Sequence, residues 1–305
     1  MAYLFIIDPI DSLNQSKDSS LFLMKECIRR NIETHFCAIN DFSINEGILN
    51  VQSNKIINFK EKINYESSHP HKGNFFKKIF IRKDPPFDDD YLNLTYFLDI
   101  AVEKGVDVIN NPSSIRKHNE KLSILNFKEI ISPTIVTSNS HDVIDFLNEH
   151  KKVVLKPINS MGGNGIFVIA KNDQNLKSIL ETVTAKDKKV IMAQKYIPDI
   201  IKGDKRIIII KGDPLPYSLI RIPGNDDFRA NLAKGGRGVS KKLTSQDMKI
   251  VDFIRPFLIE NKLDFVGIDV IGKYLTEINV TSPTCLVEIA KQTNFDCAKF
   301  IIDTI

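Results

Sequence analysis

Residues 152–169 read KVVLKPINSMGGNGIFVI, and this stretch decides the fold. Residues 153–155 are an apolar run of buried-strand type ending on Lys156 and Pro157. Met161-Gly162-Gly163-Asn164-Gly165 follows, and residues 166–169 form a second apolar run. Glycines let backbone N–H groups approach a polyphosphate without side-chain obstruction, and the Lys adds a positive charge beside it. A plain glycine-rich hairpin with an exposed Lys accounts for the same residues about equally well. Neither GxxxxGK[ST] nor GxGxxG occurs here, so the loop is neither a Walker loop nor a dinucleotide fingerprint.

Upstream of this stretch, β-like runs at residues 3–7, 32–38, 78–81 and 106–109 alternate with helical patterns at 16–30 and 91–104. The first helix aligns Leu21, Met24 and Ile28 on one face. Such alternation predicts a parallel, helix-covered sheet. Residues 45–59 read as a Gly-punctuated hairpin and 67–74 as a polar loop around Pro70 and Gly73. A break in the pattern falls near Pro112. Downstream of residue 191 strands dominate, at 206–210, 217–222, 265–271 and 274–280. The last two form a hairpin about Gly272 and Lys273, and a helix is expected at 245–260. Residues 223–242 are irregular and make a lid candidate. The expected organisation is an N-terminal α/β domain at 1–118, a central unit with the glycine loop at 119–190 and a C-terminal unit at 191–305.

A chain of 305 residues exceeds one ordinary core, and 42% hydrophobic with 26% charged residues is an average globular composition. The apolar runs are strand-length and far short of a membrane span, and no export signal is visible, so a cytoplasmic address is expected. Forty-two Lys and Arg against 38 Asp and Glu leave +4, too little for a nucleic-acid surface. Cys27 and Cys37 lie ten residues apart and Cys285 and Cys297 twelve, a spacing that suits neither a zinc site nor a disulfide framework.

Two further constellations bear on chemistry. Asp269 sits on one predicted strand and Glu277-Ile278-Asn279 on the next, so alternation puts Glu277 and Asn279 on one face with Asp269 across the hairpin. Such hard oxygen donors suit Mg²⁺ shared with phosphate oxygens and water, and they equally suit a polar strand face. Basic groups gather at Gly203-Asp204-Lys205-Arg206, Arg221, Arg229 and Gly235-Gly236-Arg237-Gly238 around the lid candidate. Arginine forks bind carboxylate and phosphate, whereas GGRG also reads as a solvated loop. Arg82 starts a segment that follows a strand, where open α/β sheets place ligands; the next residues also make a rigid Pro-Pro turn.

The segments IRKDPPF, NEKL, LKP with MGGNGIF, MAQKYIP, GDKR, ANLAKGGRG, FVGIDVIG and TEINVTSPT, in this order, strongly resemble the bacterial glutathione synthetase family of the ATP-grasp superfamily. The match weakens at residues 46–73 and in the last twenty. Asn159 stands where the family often has Asp, and Gly165 where a small non-glycine residue is common.

The resemblance implies an α/β fold, with an ATP-grasp fold preceded by an N-terminal parallel-sheet (pre-ATP-grasp) domain. It implies an ATP-dependent acid–amino-acid ligase that joins γ-glutamylcysteine to glycine through an acyl phosphate, with Mg²⁺ or Mn²⁺. Carried over by position, Lys121 and Lys156 meet ATP phosphates, Gly162, Gly163 and Gly165 cover them, and Gln194, Lys195, Tyr196 and Ile197 form the adenine hinge. Asp204 meets the ribose, and Asp269, Glu277 and Asn279 hold the metal. Arg206 and Arg221 stabilise the acyl centre, while Arg82, Arg229 and Arg237 serve substrate and lid. Its partners are small molecules, with no nucleic acid and no membrane, and the family resemblance suggests a homotetramer. Another ATP-grasp carboxylate–amine ligase, for a dipeptide or glutamate, stays open, as does a non-catalytic ATP-binding regulator.

Overall fold

The computed structural model describes residues 1–59, 63–224 and 235–305. Its first sheet holds β1 (Ala2–Ile6), β2 (Glu33–Cys37), β3 (Phe42–Asn45), β4 (Ile48–Phe59), β5 (Ile63–Tyr65), β6 (His69–Lys72), β7 (Lys78–Ile81) and β8 (Asp107–Ile109). The order is β3-β4-β2-β1-β7-β8, and β2, β1, β7 and β8 run parallel. Every residue of β1 is buried, because a central parallel strand is covered on both faces. Tyr3 and Phe5 pack against α1 (Ser19–Arg29), while Leu4 and Ile6 pack against α2 (Asp89–Glu103). Asp18 and Asp88 start these helices by accepting the N–H of Leu21 and Tyr91. A short α3 (Pro112–Lys117) ends this part, with Pro at its first position.

The expected polar loop at 67–74 is a correction: residues 69–72 form β6, which pairs antiparallel with β4. Pro70 hid it, since proline reads as a strand breaker yet is tolerated on an edge.

The second sheet is antiparallel and holds β9 (Thr134–Thr137), β10 (Lys152–Pro157), β11 (Phe167–Ala170) and β12 (Ile191–Lys195), in the order β11-β10-β12-β9. Helices α4 (Ser140–His150) and α5 (Leu176–Val183) close over a core of Leu147, Val153, Leu155, Ile169 and Leu180. Because β12 pairs with β10 from Val153↔Lys195 to Pro157↔Ile191, the boundary expected at 190/191 would cut a strand from its own sheet. The change of sheet falls after Lys195.

The third sheet holds β13 (Asp204–Ile210), β14 (Asp213–Pro214), β15 (Tyr217–Ile222), β16 (Arg237–Lys242), β17 (Phe265–Ile271) and β18 (Tyr274–Asn279), ordered β16-β15-β13-β17-β18. Ile207 and Ile209 face α6 (Ser245–Glu260), whose start is fixed by a capping box of Thr244 and Asp247. Ile208 and Ile210 face the other way, into the cluster that contains Phe5, Met24 and residues of α7 (Leu286–Thr293) and α8 (Cys297–Thr304). The N-terminal sheet and the C-terminal sheet thus share a core. No helix among the described residues is long and apolar enough to cross a membrane.

Candidate active site

A cleft with about 1040 Å³ of empty space opens between the second and third sheets. Its charged floor follows from strand register. Asp204 on β13 lies opposite Arg221 on β15, Arg206 opposite Asp269 on β17, and Asp269 opposite Glu277 on β18. Asp204 and Arg206 are two residues apart, so they share a face.

Arg206 grips Asp269 through two donors, Nε to Oδ1 at 2.5 Å and Nη2 to Oδ2 at 3.0 Å. Arg221 Nη2 lies 2.9 Å from the same Oδ2 and also donates to Asp204. Gly267 makes room for this pairing: a Cβ there would lie 2.8 Å from Pro283 Cβ and 2.9 Å from Arg206 Cδ. Burial alone would raise the Asp269 carboxyl, but the two guanidiniums outweigh it and hold it well below the usual carboxylate range. Asp204 is pushed up to about 6, chiefly by burial and further by Asp269, against the pull of Arg221. Its Oδ1 is buried, as is Arg221 Nε, and neither has a partner among the described residues.

The roof comes from the second sheet and its connections. Lys156, at the end of β10, donates from Nζ to Gln194 Oε1 at 2.6 Å, and Gln194 Nε2 donates to Thr134 Oγ1 at 3.0 Å. A neutral partner leaves the Lys156 charge uncompensated at close range, and burial lowers its pKa. Lys121 is 3.2 Å from Glu277 Oε1 and also donates to the Ser160 carbonyl at the start of the glycine loop. In that loop Gly162, Gly163 and Gly165 all take positive φ. Gly165 stands away from the cleft. A Cβ on it would come within 2.9 Å of Pro157 Cγ, so it closes the turn while Gly162 and Gly163 line the cavity.

The nucleotide set expected from the sequence meets in this one cleft: Lys121, Lys156, Gly162, Gly163, residues 194–197 and Asp204. Asp269, Glu277 and Asn279 line it as well, and Asn279 Nδ2 is tied to the Gly267 carbonyl at 2.9 Å, which leaves its Oδ1 for the cleft. Arg206 borders both this cleft and an adjoining cavity, where it meets Arg221, Ser282, Thr284 and Cys285.

Two expected arginines, Arg82 and Arg237, do not join them. Arg82 is buried outside both linings; its Nε donates to Ser20 Oγ at 3.1 Å, its Nη2 to the Pro283 carbonyl at 2.8 Å, and the fork lies over Phe265. Its Nη1 is buried and has no partner among the described residues. Arg237 is exposed at the start of β16, and Arg229 lies outside the described residues, as does half of the lid candidate, 225–234; its last six residues, 237–242, are not irregular as expected but form β16, paired with β15. Glu120 and the Thr281–Thr284 segment carry no expected role. Both stand inside the motifs NEKL and TEINVTSPT, and their polarity next to Lys121 and Asn279 is the signal that the sequence offers.

Residues 1–116 match the family model "Prokaryotic glutathione synthetase, N-terminal domain", and residues 120–294 match "Prokaryotic glutathione synthetase, ATP-grasp domain". The chain belongs to the prokaryotic glutathione synthetase family. It is 42% identical to the glutathione synthetase of Vibrio parahaemolyticus, covering 98% of this chain and 96% of that one. To the Neisseria meningitidis glutathione synthetase it is 41% identical, covering 100% and 98%. Solved structures share the fold at low identity. D-cycloserine synthetase DcsG matches with a TM-score of 0.70 at 11% identity, covering 99% of both chains. A RimK domain ATP-grasp protein from Sphaerobacter thermophilus matches at 0.63 and 14%, covering 100% and 99%. Like its family, the chain is an ATP-grasp ligase.

Proposed function

We propose that this chain joins γ-glutamylcysteine to glycine at the expense of ATP, with an acyl phosphate between the two half-reactions. Its relatives' shared name supports the substrates, and the charge count of the cleft carries the chemistry. Among the described residues Lys121, Lys156, Lys195 and Arg206 line it, answered by Asp204, Asp269 and Glu277, while Glu120 Oε1 is turned onto the backbone N–H groups of Val280 and Thr281. So nearly balanced a cleft does not hold a triphosphate beside a carboxylate substrate unless further positive charge arrives with them.

The donor set fits a divalent cation. Glu277 and the Asn279 amide oxygen face the cleft, and Asp269 has given three of its roughly four lone-pair positions to arginine N–H groups, so it offers one contact. Few protein ligands suit Mg²⁺ or Mn²⁺ that is also held by phosphate oxygens and water. Glu277, Asn279 and Asp269 would hold the ion, which when bound would offset the charge that builds in phosphoryl transfer.

The side chains supply the rest. Lys121 and Lys156 hold phosphate oxygens, with Gly162 and Gly163 closing over them. Residues 194–197 receive the adenine, and Asp204 offers its unbonded Oδ1 to the ribose. A substrate carboxylate oxygen attacks the γ-phosphorus and ADP leaves. The amine nitrogen of glycine then attacks the acyl carbon, loses a proton, and phosphate departs with the C–O electron pair. Arg206 and Arg221, already fixed by Asp269, would offset the charge that builds on the acyl oxygen. Arg229, in the lid candidate, and Arg237, at the start of β16, serve the substrate carboxylates, whereas Arg82, buried against Ser20, Phe265 and Pro283, is left without a substrate contact.

The test is ADP release by purified protein given ATP, Mg²⁺ and γ-glutamylcysteine, with and without glycine. Steady turnover that requires both substrates is expected. Turnover indifferent to γ-glutamylcysteine would remove this substrate assignment while leaving the fold untouched.

A further inference from the structure

One tetrapeptide, Asn119-Glu120-Lys121-Leu122, ties the two halves of the cleft together. Asn119 Oδ1 accepts the N–H groups of Lys121 and Leu122, at 3.0 and 3.1 Å, and so opens the short 3-10 turn Leu122–Asn126. Lys121 then reaches Glu277. Glu120 points the other way along the same metal strand. Its carbonyl oxygen accepts the N–H of Ile278 at 2.9 Å. Its Oε1 alone accepts three donors: Val280 N–H at 3.0 Å, Thr281 N–H at 3.1 Å and Thr281 Oγ–H at 2.8 Å.

These bonds bracket Asn279 on both sides, at 278 and at 280–281. The end of β18 has no further strand beside it, since β18 closes its sheet, so the outer edge of the metal strand is paired through Glu120 instead. We infer that Glu120 is a positioning residue, which sets Glu277 and Asn279 in register with Lys121 so that metal oxygens and phosphate lysine arrive at fixed separation. The inference rests on the reading of Glu277 and Asn279 as metal ligands.

The acceptor, rather than its charge, carries this role. The two backbone N–H groups among the three donors match the two lone pairs of any carbonyl-type oxygen in that place, and burial already raises the Glu120 carboxyl, with Glu277 adding to it. An amide keeps the acceptor and loses the charge. Truncation loses both and leaves two backbone N–H groups without partners.

The experiment compares Glu120→Ala, Glu120→Gln and Thr281→Val in the full-length protein, reading kcat, the Mg²⁺ concentration at half-saturation and the thermal midpoint. Glu120→Ala is expected to lower kcat roughly 10- to 100-fold and to raise the half-saturating Mg²⁺ about tenfold, as loss of an outer-shell partner does. Glu120→Gln is expected to stay within about threefold of the parent on both. Thr281→Val removes one donor of three and gives a small rise in half-saturating Mg²⁺, which keeps the inference testable should the alanine variant not fold. A glutamine variant as impaired as alanine overturns the inference, because the charge is then what matters. So does an alanine variant with a lowered thermal midpoint but unchanged kcat and Mg²⁺ requirement. Mg²⁺-dependent ADP binding by the parent protein is measured alongside; its absence would undo the metal reading itself, whatever the variants do.

Discussion

At the scale of single residues most of the buried charges of the cleft are paired. Lys121 has Glu277 and the two arginines have Asp204 and Asp269, but among the described residues Lys156 meets only the Gln194 amide. A cation held by a neutral partner and partly stripped of water is attracted most strongly to whatever anion enters. Lys156→Ala is therefore expected to cut kcat/KM for ATP by about 10²- to 10³-fold, the usual loss for one charged group at a transferring phosphoryl. Steady-state kinetics with varied ATP check this, and a loss under tenfold would place the triphosphate elsewhere. Gly267 gives a second prediction. Arg206 is 6% exposed and doubly bonded to Asp269, and Pro283 is stiff, so neither neighbour of the added Cβ can yield. Gly267→Ala should cost roughly 1–3 kcal/mol of stability, as overpacking does, and lower kcat by shifting Arg206. Denaturant titration and turnover read the two effects, and a variant equal to the parent in both would contradict the tight fit. The row Asp269, Glu277, Asn279 was legible in the sequence, because a period of two assigns faces without knowledge of anything distant. Arg82 was not: it points where Ser20, Phe265 and Pro283 hold it, and those lie far away in the chain.

At the scale of elements, apolar periodicity located the central strands and helices, and it failed where an element is defined by its neighbours. β6 carries almost no apolar signal and exists because β4 is long enough to pair with four strands. β12 has the look of any buried strand, so only pairing with β10 assigns it to the second sheet. The same extension of the first sheet encloses His35, which is 2% exposed. Its Nδ1 meets Ser53 Oγ and its Nε2 meets Glu33 Oε1, each at 3.1 Å, with the His71 ring edge-on beside it. Burial holds the His35 pKa below its ordinary 6.5; His71 and Lys55 push the same way and Glu33 opposes them. The unfolded chain then binds this proton more readily than the folded one. Stability is full above pH 6.5 and falls as pH drops from there toward the depressed folded value. Denaturant midpoints at pH 7.5 and 5.5 should show this loss in the parent and a smaller one in His35→Gln, which keeps an amide acceptor without a titrating ring. Equal losses in the two proteins would assign the pH dependence to other groups.

At the scale of the whole molecule the cleft depends on how the first sheet is joined to the third. The run Ile207–Ile210 was legible as a buried strand, but not that its two faces serve two different cores, one of them shared with β1, α1 and α8. Hydrophobic pattern says that a residue is covered and is silent on what covers it. At the seam stands Asn110, 2% exposed, whose Nδ2 donates to the carbonyls of Phe265 at 2.8 Å and Val280 at 2.7 Å, while its Oδ1 accepts the Phe265 N–H at 2.6 Å. One side chain from the end of β8 thus fixes the start of β17 and the residue after Asn279. Asn110→Ala removes three buried hydrogen bonds and leaves their partners unsatisfied, which should cost roughly 2–4 kcal/mol at any pH. Asn110→Asp behaves differently. It keeps an acceptor for the Phe265 N–H, but its second oxygen faces two carbonyls and is tolerated only when it carries a proton. Its folded pKa must then rise above the unfolded value of about 3.9, so the penalty is small in acid and grows as pH rises through that interval and beyond. Near pH 5 the aspartate variant should be the more stable of the two, and near pH 8 its advantage should be reduced or reversed. Unfolding midpoints of both variants at the two pH values decide this; parallel curves would mean that Asn110 Nδ2 is not the donor that holds the two sheets together.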